Sequence, residues 1–389
     1  MPIINRVAEL ADDAAVWRRD FHQHPELLYD VHRTAGVVAE KLRAFGCDEV
    51  VTGIGRTGVV GVIRGRSNAS GRTIGLRADM DALPITEETG ATHKSTTPGK
   101  MHACGHDGHT AMLLGAARYL AETRNFDGTA VVIFQPAEEG GAGGKAMVDD
   151  GMMDRFKVDE VYGLHNMPGL PVGAFAIRPG PVMAAADRFD IAITGLGGHA
   201  AKPHECVDPV VVAAQIINAV QAIVSRGVDP LDSCVISITR VEAGTAYNII
   251  PETVKLSGTM RTLRAATRDF GEARLRAVVE GIANANRAKA TLDFERGYPV
   301  TENHPAQTDF AARIAESVVG ARNVDRALEP TMGGEDFSYM LLARPGAFIF
   351  MGNGDTAGLH HPKYDFNDAA IPVGMSYWAR LVETALPAG

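Results

Sequence analysis

The sequence predicts an α/β protein: a discontinuous α/β/α domain interrupted by an inserted ferredoxin-like (βαββαβ) domain. Three observations predict it. Short apolar runs closed by Gly, Pro or Asp alternate with longer helical patterns in both the first and the last part of the chain. Between them, from about Arg188 to Arg296, strands with half-buried alternation replace the fully apolar ones. The 389 residues also exceed the ~250–300 at which a single core stops growing, so two domains are the default. The expected division is 1–186 and 298–389 for the discontinuous domain and 187–297 for the insert.

Taken in order, the N-terminal residues MPIINRVAELADDAAVWRRDF read as an amphipathic helix rather than a basic, apolar leader. TIGLRAD (73–79) is a buried strand. A helix from about Thr110 to Glu122 follows, with Leu113, Leu114, Ala117 and Leu120 on one face. TAVVIF (129–134), EVYGLH (160–165) and AFIFMG (347–352) are further buried strands. Such strands alternating with helices call for a sheet covered on both faces. In the insert, RFDIAITG is a half-buried strand. VDPVVVAAQIINAVQAIVSR is a helix with Asp208 and Pro209 at its start. SCVISITRVEAG and ETVKLSGTMRTL are two strands, a helix covers about Thr267 to Ala288, and ATLDFERG is the last strand. The order βαββαβ is that of a ferredoxin-like unit.

Composition narrows the partners. The formal net charge is −9 and no Lys/Arg run breaks it, which argues against nucleic acid. No stretch approaches the ~20 apolar residues that span a membrane, and the expected location is cytoplasmic. The four cysteines (Cys47, Cys104, Cys206, Cys234) form no CxxC pair, so no disulfide framework is expected. Three of them read as small buried hydrophobes.

Four clusters carry chemistry. MHACGHDGHT (101–110) holds His102, Cys104, His106, Asp107 and His109, and thiolate, imidazole and carboxylate are donors for borderline divalent metals. FQPAEEGGAGG (134–144) places Glu138 and Glu139 between a strand end and a glycine-rich turn. Adjacent side chains of an extended segment point in opposite directions, so one carboxylate can bind metal while the other takes a proton from the attacking water. GLHNMP (163–168) puts His165 at a strand end, and LHHPKYDFND (359–368) puts His360 and His361 beyond another. All four follow predicted strands directly or by one short loop, where open α/β sheets gather ligands.

With DFHQHPEL (20–27), LRADMDALP (76–84), GLGGHAAKPH (195–204), AYNIIPE (246–252), GTMRTL (258–263) and GGEDFSYM (333–340), these motifs resemble the M20 metallopeptidase superfamily, in family order along the chain. The match is to the amidohydrolase branch of hippurate hydrolases, N-acyl-amino-acid amidohydrolases and auxin-conjugate hydrolases. The resemblance implies a catalytic α/β/α domain with the insert as lid and dimerisation domain. It implies Cys104, His106, Glu139, His165 and His360 (rather than His361) as ligands of two divalent metals, with Glu138 as general acid/base. The donor set suits zinc, manganese, cobalt or nickel. Where other members carry a His-x-Asp ligand motif, this chain reads Asp79-Met80-Asp81; the histidine is replaced, and Asp81 keeps an orienting role. His199 would reach a partner subunit's site and stabilise the oxyanion, and Asn248 and Arg261 would hold the substrate carboxylate.

The activity so implied is hydrolysis of an N-acyl amino acid, of hippurate or N-acetyl type, by a homodimer or homotetramer. The alternatives are an N-acetyl-diaminopimelate deacetylase or a small-peptide carboxypeptidase or dipeptidase. Two rivals differ in chemistry: a thiol hydrolase with Cys104 as nucleophile, and a non-catalytic metal- or ligand-binding protein. The first leaves Glu138, Glu139, His165 and His360 without a role; the second needs no general base.

Overall fold

The computed structural model describes residues 4–388. The chain divides into two compact units. The first comprises the segments up to Val182, Glu302–Glu329 and from Asp336 on; the second is Met183–Thr301 with Pro330–Glu335.

In the first unit, α1 (Asn5–Gln23) and α2 (His32–Ala44) precede β1 (Glu49–Ile54), β2 (Gly58–Arg64) and β3 (Thr73–Asp79). Then come α3 (His106–Thr123), β4 (Thr129–Gln135), α4 (Gly143–Asp149), β5 (Glu160–Pro168) and the short β6 (Phe175–Ala176). The second unit contributes β7 (Ala185–Thr194), β8 (Gly198–His199), α5 (Pro209–Gly227), β9 (Cys234–Ala243), β10 (Ile249–Ile250), β11 (Thr253–Thr262), α6 (Ala265–Ala285) and β12 (Lys289–Tyr298). The chain returns to the first unit for α7 (Pro305–Val319), β13 (Val324–Asp325), β14 (Gly346–Gly354) and α8 (Ile371–Ala385).

The first unit is built on an eight-stranded sheet in the order β1-β2-β4-β3-β5-β14-β6-β13. Its centre, β4-β3-β5-β14, is parallel. Every residue of β3 is buried, as a strand covered on both faces requires. Helix α3 packs its apolar stripe on this sheet and against α1 and α8. It begins at His106, four residues before the start that periodicity predicts, because its first turn (HDGH) is polar and carries no apolar signal. Asp107 in that turn faces the positive end of the helix dipole.

The second unit is a four-stranded antiparallel sheet in the order β9-β11-β7-β12. In β7 every second residue is buried, so one face is covered. Val212, Ile216 and Val220 of α5 and Leu275 and Val279 of α6 share a core with Phe189, Ile191, Leu256 and Met260. The Asp208 side chain caps α5 by accepting from Val210 N at 2.9 Å, with Pro209 at the first helical position. Against the composition-based expectation, α5 is by length and hydropathy alone able to cross a membrane, at 19 residues and mean hydropathy 1.4. Its inward residues are instead part of the core of this unit.

The buried His22 of α1 ties the start of α3 to the N-terminal helix: its Nδ1 lies 2.8 Å from Asp107 Oδ2. Burial opposes a charge on the ring, but Asp107 outweighs it and raises His22 to about 9. A pKa raised on folding stabilises fully below the ordinary value near 6.5 and is lost as pH rises through about 9. The expected size is on the order of 3 kcal/mol for a shift of this extent. Urea unfolding of the wild type and His22→Gln should give a stability gap that is widest below pH 6.5 and narrows towards pH 10; a gap independent of pH would refute the charged pair.

Candidate metal centre

The parallel strands deliver the chemical residues to their carboxyl ends, the edge where such sheets place ligands. Asp79 closes β3, Glu138 and Glu139 follow β4, His165 lies late in β5, His360 follows β14, and Cys104 and His106 stand at the start of α3. Gly105 makes that last arrangement possible. Its φ is +89°, and a Cβ there would sit 2.2 Å from Asn166 Nδ2.

The donor atoms of Cys104, His106 and Glu139 lie within 4.8 Å of one another. His165 Nε2 is 3.5 Å from Cys104 Sγ, and His360 Nε2 is 3.3 Å from Glu139 Oε1. The five ligand residues expected from the sequence thus form one cluster. His361 is exposed, and its Nδ1 accepts from Lys363 N.

Hydrogen bonds leave the right atoms free. His106 Nδ1 donates to the Asp81 carbonyl at 2.8 Å, and His165 Nδ1 to the Asn166 carbonyl at 2.7 Å, so each ring offers Nε2. Among the described residues the buried His106 Nε2 has no hydrogen-bond partner; it lies 3.9 Å from Glu139 Oε1, which faces His360 Nε2 at 3.3 Å. Such an atom would be costly alone, and a divalent cation fits as the shared partner of His106 and Glu139. Electrostatics agree. Burial disfavours charge on His106, yet Asp79 and Asp81 raise it to about 10. The carboxylates that attract that proton attract a cation that displaces it. Burial keeps His165 neutral, well below its ordinary range, as a ligand ring must be. Burial and then Glu139, Glu138 and Asp79 push the Cys104 thiol well up. A nucleophilic cysteine needs the opposite shift, which weighs against a thiol hydrolase.

Asp79, His106, His109 and His165 form a second close group. Two of its members, Asp79 and His109, are committed elsewhere. Asp79 Oδ2 takes Arg77 Nη1 at 2.8 Å, and Asp79 Oδ1 takes His109 Nδ1 at 2.6 Å. His109 Nε2 accepts from Asn166 N at 2.9 Å. Burial would raise the Asp79 carboxyl, but His106, Arg77 and His109 hold it well below its ordinary range. It is an ionised partner of Arg77 and His109, not a free donor.

Asp81, also buried, accepts the backbone N–H of Glu138 at 3.0 Å and of Glu139 at 3.1 Å. Ala137 before them has a φ of +55°, a strained value for a residue with a Cβ. Motif matching assigned no role to Arg77, His109, Asn166 or Tyr364, whose hydroxyl donates to Asn166 Oδ1 at 2.8 Å. The usable signals were Asn166 beside His165, Tyr364 within the 359–368 motif and His109 one turn after His106.

His199, Asn248 and Arg261 belong to the second unit. His199 and Asn248 come together there: β8 pairs with β10, and Ala200 N donates to the Asn248 carbonyl at 3.0 Å. Ala201 N donates to His199 Nδ1 at 3.1 Å, which leaves Nε2–H of the exposed ring as a donor. Arg261 lies on β11, half-buried.

Residues 75–384 match Peptidase family M20/M25/M40. The chain is 41% identical over 381 residues to the hippurate hydrolase of Campylobacter jejuni, covering 98% of each. It is 43% identical to thermostable carboxypeptidase 2 of Saccharolobus solfataricus, covering 90% of this chain and 88% of the relative. The Bacillus subtilis YxeP protein, described as a dinuclear metal-binding peptidase of the M20 family, superposes with a TM-score of 0.85 at 35% identity, covering 97% and 99%.

The commitments of Asp79 and Glu139 predict different losses. Glu139→Gln should come out of dialysis without bound divalent metal. Asp79→Asn should keep it, at an affinity lowered ~10–100-fold as for an outer-shell partner. Metal analysis after dialysis reads both, and the reverse pattern would reassign the ligands.

Proposed function

The chain belongs to peptidase family M20/M25/M40 and is an amidohydrolase, and on that premise we propose that it cleaves the amide bond of N-acyl amino acids of hippurate or N-acetyl type. The observation that carries this reading is the pairing at the end of β4. Glu139 turns Oε1 to the donor cluster, 3.3 Å from His360 Nε2 and 3.9 Å from His106 Nε2, and the backbone amides of Glu139 and Glu138 are both held by the Asp81 carboxylate.

In this reading Cys104, His106, Glu139, His165 and His360 hold two divalent metals, from among zinc, manganese, cobalt and nickel. Such metals supply Lewis-acid polarisation of a carbonyl and acidification of water. Glu138 takes a proton from the attacking water and returns it to the leaving amine nitrogen, the acid–base exchange of a positioned carboxylate. Asp81 fixes the Glu138 backbone for both transfers. His199, with its Nε2–H free to donate, stabilises the oxyanion, a contribution worth ~10²–10³ in rate for one donor. Asn248 and Arg261 hold the substrate carboxylate, for which the guanidinium fork is well shaped. We assign the second unit the part of a ferredoxin-like lid and dimerisation domain, with His199 acting in the site of a second copy. A cytoplasmic homodimer or homotetramer completes the proposal. Release of an amino acid from a peptide C-terminus is the second reading, favoured by the carboxypeptidase among the relatives.

A panel of N-benzoyl and N-acetyl amino acids and short peptides, assayed after metal stripping and reloading with each metal, separates these readings. Activity on acyl amino acids over peptides is expected, and preference for peptides overturns the first reading. Glu138→Gln is expected to keep its metal and lose ~10²–10⁴ of turnover; near-normal turnover would remove Glu138 as the base.

A further inference from the structure

Arg18 of α1 is a buried guanidinium surrounded by carboxylates from two distant parts of the chain. Its Nε donates to Asp368 at 2.7 Å and its Nη1 to Asp365 at 2.9 Å. Nη1 also lies 3.5 Å from Asp107. His93 Nε2 sits between Arg18 Nη2 at 3.3 Å and Asp365 Oδ2 at 3.0 Å. Asp107 follows the ligand His106 directly, whereas Asp365 and Asp368 end the loop that carries His360.

That loop needs holding. His360 has a φ of +61°, a left-handed conformation that a residue with a Cβ keeps only where its surroundings enforce it. One restraint is local: His360 N donates to the Ala103 carbonyl at 2.7 Å. A second is the buried Tyr364 hydroxyl on Asn166. Further along the loop Glu88 N donates to the Pro362 carbonyl at 2.8 Å, Asn353 Nδ2 to the Asp365 carbonyl at 3.1 Å, and Arg18 to the Asp365 carboxylate. The start of α3 has its own anchor in His22–Asp107, so Arg18 is needed chiefly by the His360 loop.

We propose that Arg18 is a positioning residue of the metal centre, clamping the His360 loop to the start of α3 through Asp365, Asp368 and Asp107. The guanidinium touches no donor atom of the cluster. It sets where His360 Nε2 stands relative to Glu139 and His106. The inference rests on the assignment of His360 as a ligand.

Cobalt(II) titration of the metal-stripped protein, followed by its visible absorption, tests the clamp. Arg18→Met should weaken cobalt binding by ~10–100-fold, the range for outer-shell partners. In a His360→Ala background it should add less than about a further twofold, because no His360 remains to be positioned. Asp365→Asn, a change at a partly exposed side chain, repeats the measurement without emptying the buried Arg18 pocket and should behave alike. Wild-type cobalt affinity in both variants, or the same loss in both backgrounds, overturns the clamp. Undiminished binding in His360→Ala itself overturns the ligand assignment and the clamp with it, whereas weakened His360→Ala beside unchanged Arg18→Met and Asp365→Asn overturns the clamp alone.

Discussion

The site depends on one buried carboxylate, Asp81. Both of its oxygens are spent on the backbone amides of Glu138 and Glu139, and its carbonyl takes the Nδ1 proton of His106. One residue thereby fixes the turn that presents the two glutamates and the tautomer of a ring beside them. The turn is strained at Ala137, and strain of this kind persists only where the surroundings over-determine it. With the backbone fixed, neighbouring side chains diverge, which is how adjacent identical residues acquire different chemistry.

Around that constraint lies a layer of neutralised charge. Arg77, fully buried, reaches Asp79, Gln135 and Asp336, and Asp336 in turn accepts from Gly144 N at the start of α4. The ends of β3 and β4 are thus locked to a segment 259 and 201 residues away. Removing one partner of a buried ion pair strands the other, so such networks make rigid supports for a site although they are weak evidence of net stability. His22 and Arg18 extend the support to α1 and to the loop after β14. Apart from His360, which stands in the loop after β14, the donor cluster consequently rests on strand ends and a helix start, the elements that hold a constellation best.

Much of this was legible in the sequence. The buried strands β3, β4, β5 and β14 announced themselves as apolar runs, and three of the four chemical clusters follow β4, β5 and β14, whereas the 101–110 cluster lies more than twenty residues past β3 and opens α3. What was not legible has physical causes. The first turn of α3 was missed because HDGH carries no apolar period. The hairpin β1–β2 and helices α2, α7 and α8 carry no motif. Asp79 read as a missing ligand; its commitment to Arg77 and His109 joins residues whose pairing no spacing rule reveals. The clamp on Asp365 spans 347 positions and belongs to tertiary structure alone.

Anomalous diffraction from crystals grown with manganese or zinc reads the donor set without a mutation. The donor set requires density bounded by Cys104 Sγ, His106 Nε2, Glu139, His165 Nε2 and His360 Nε2, with Asp79 still paired to Arg77 and His109. Density held by Asp79 and His109, with Glu139 turned away, would contradict it.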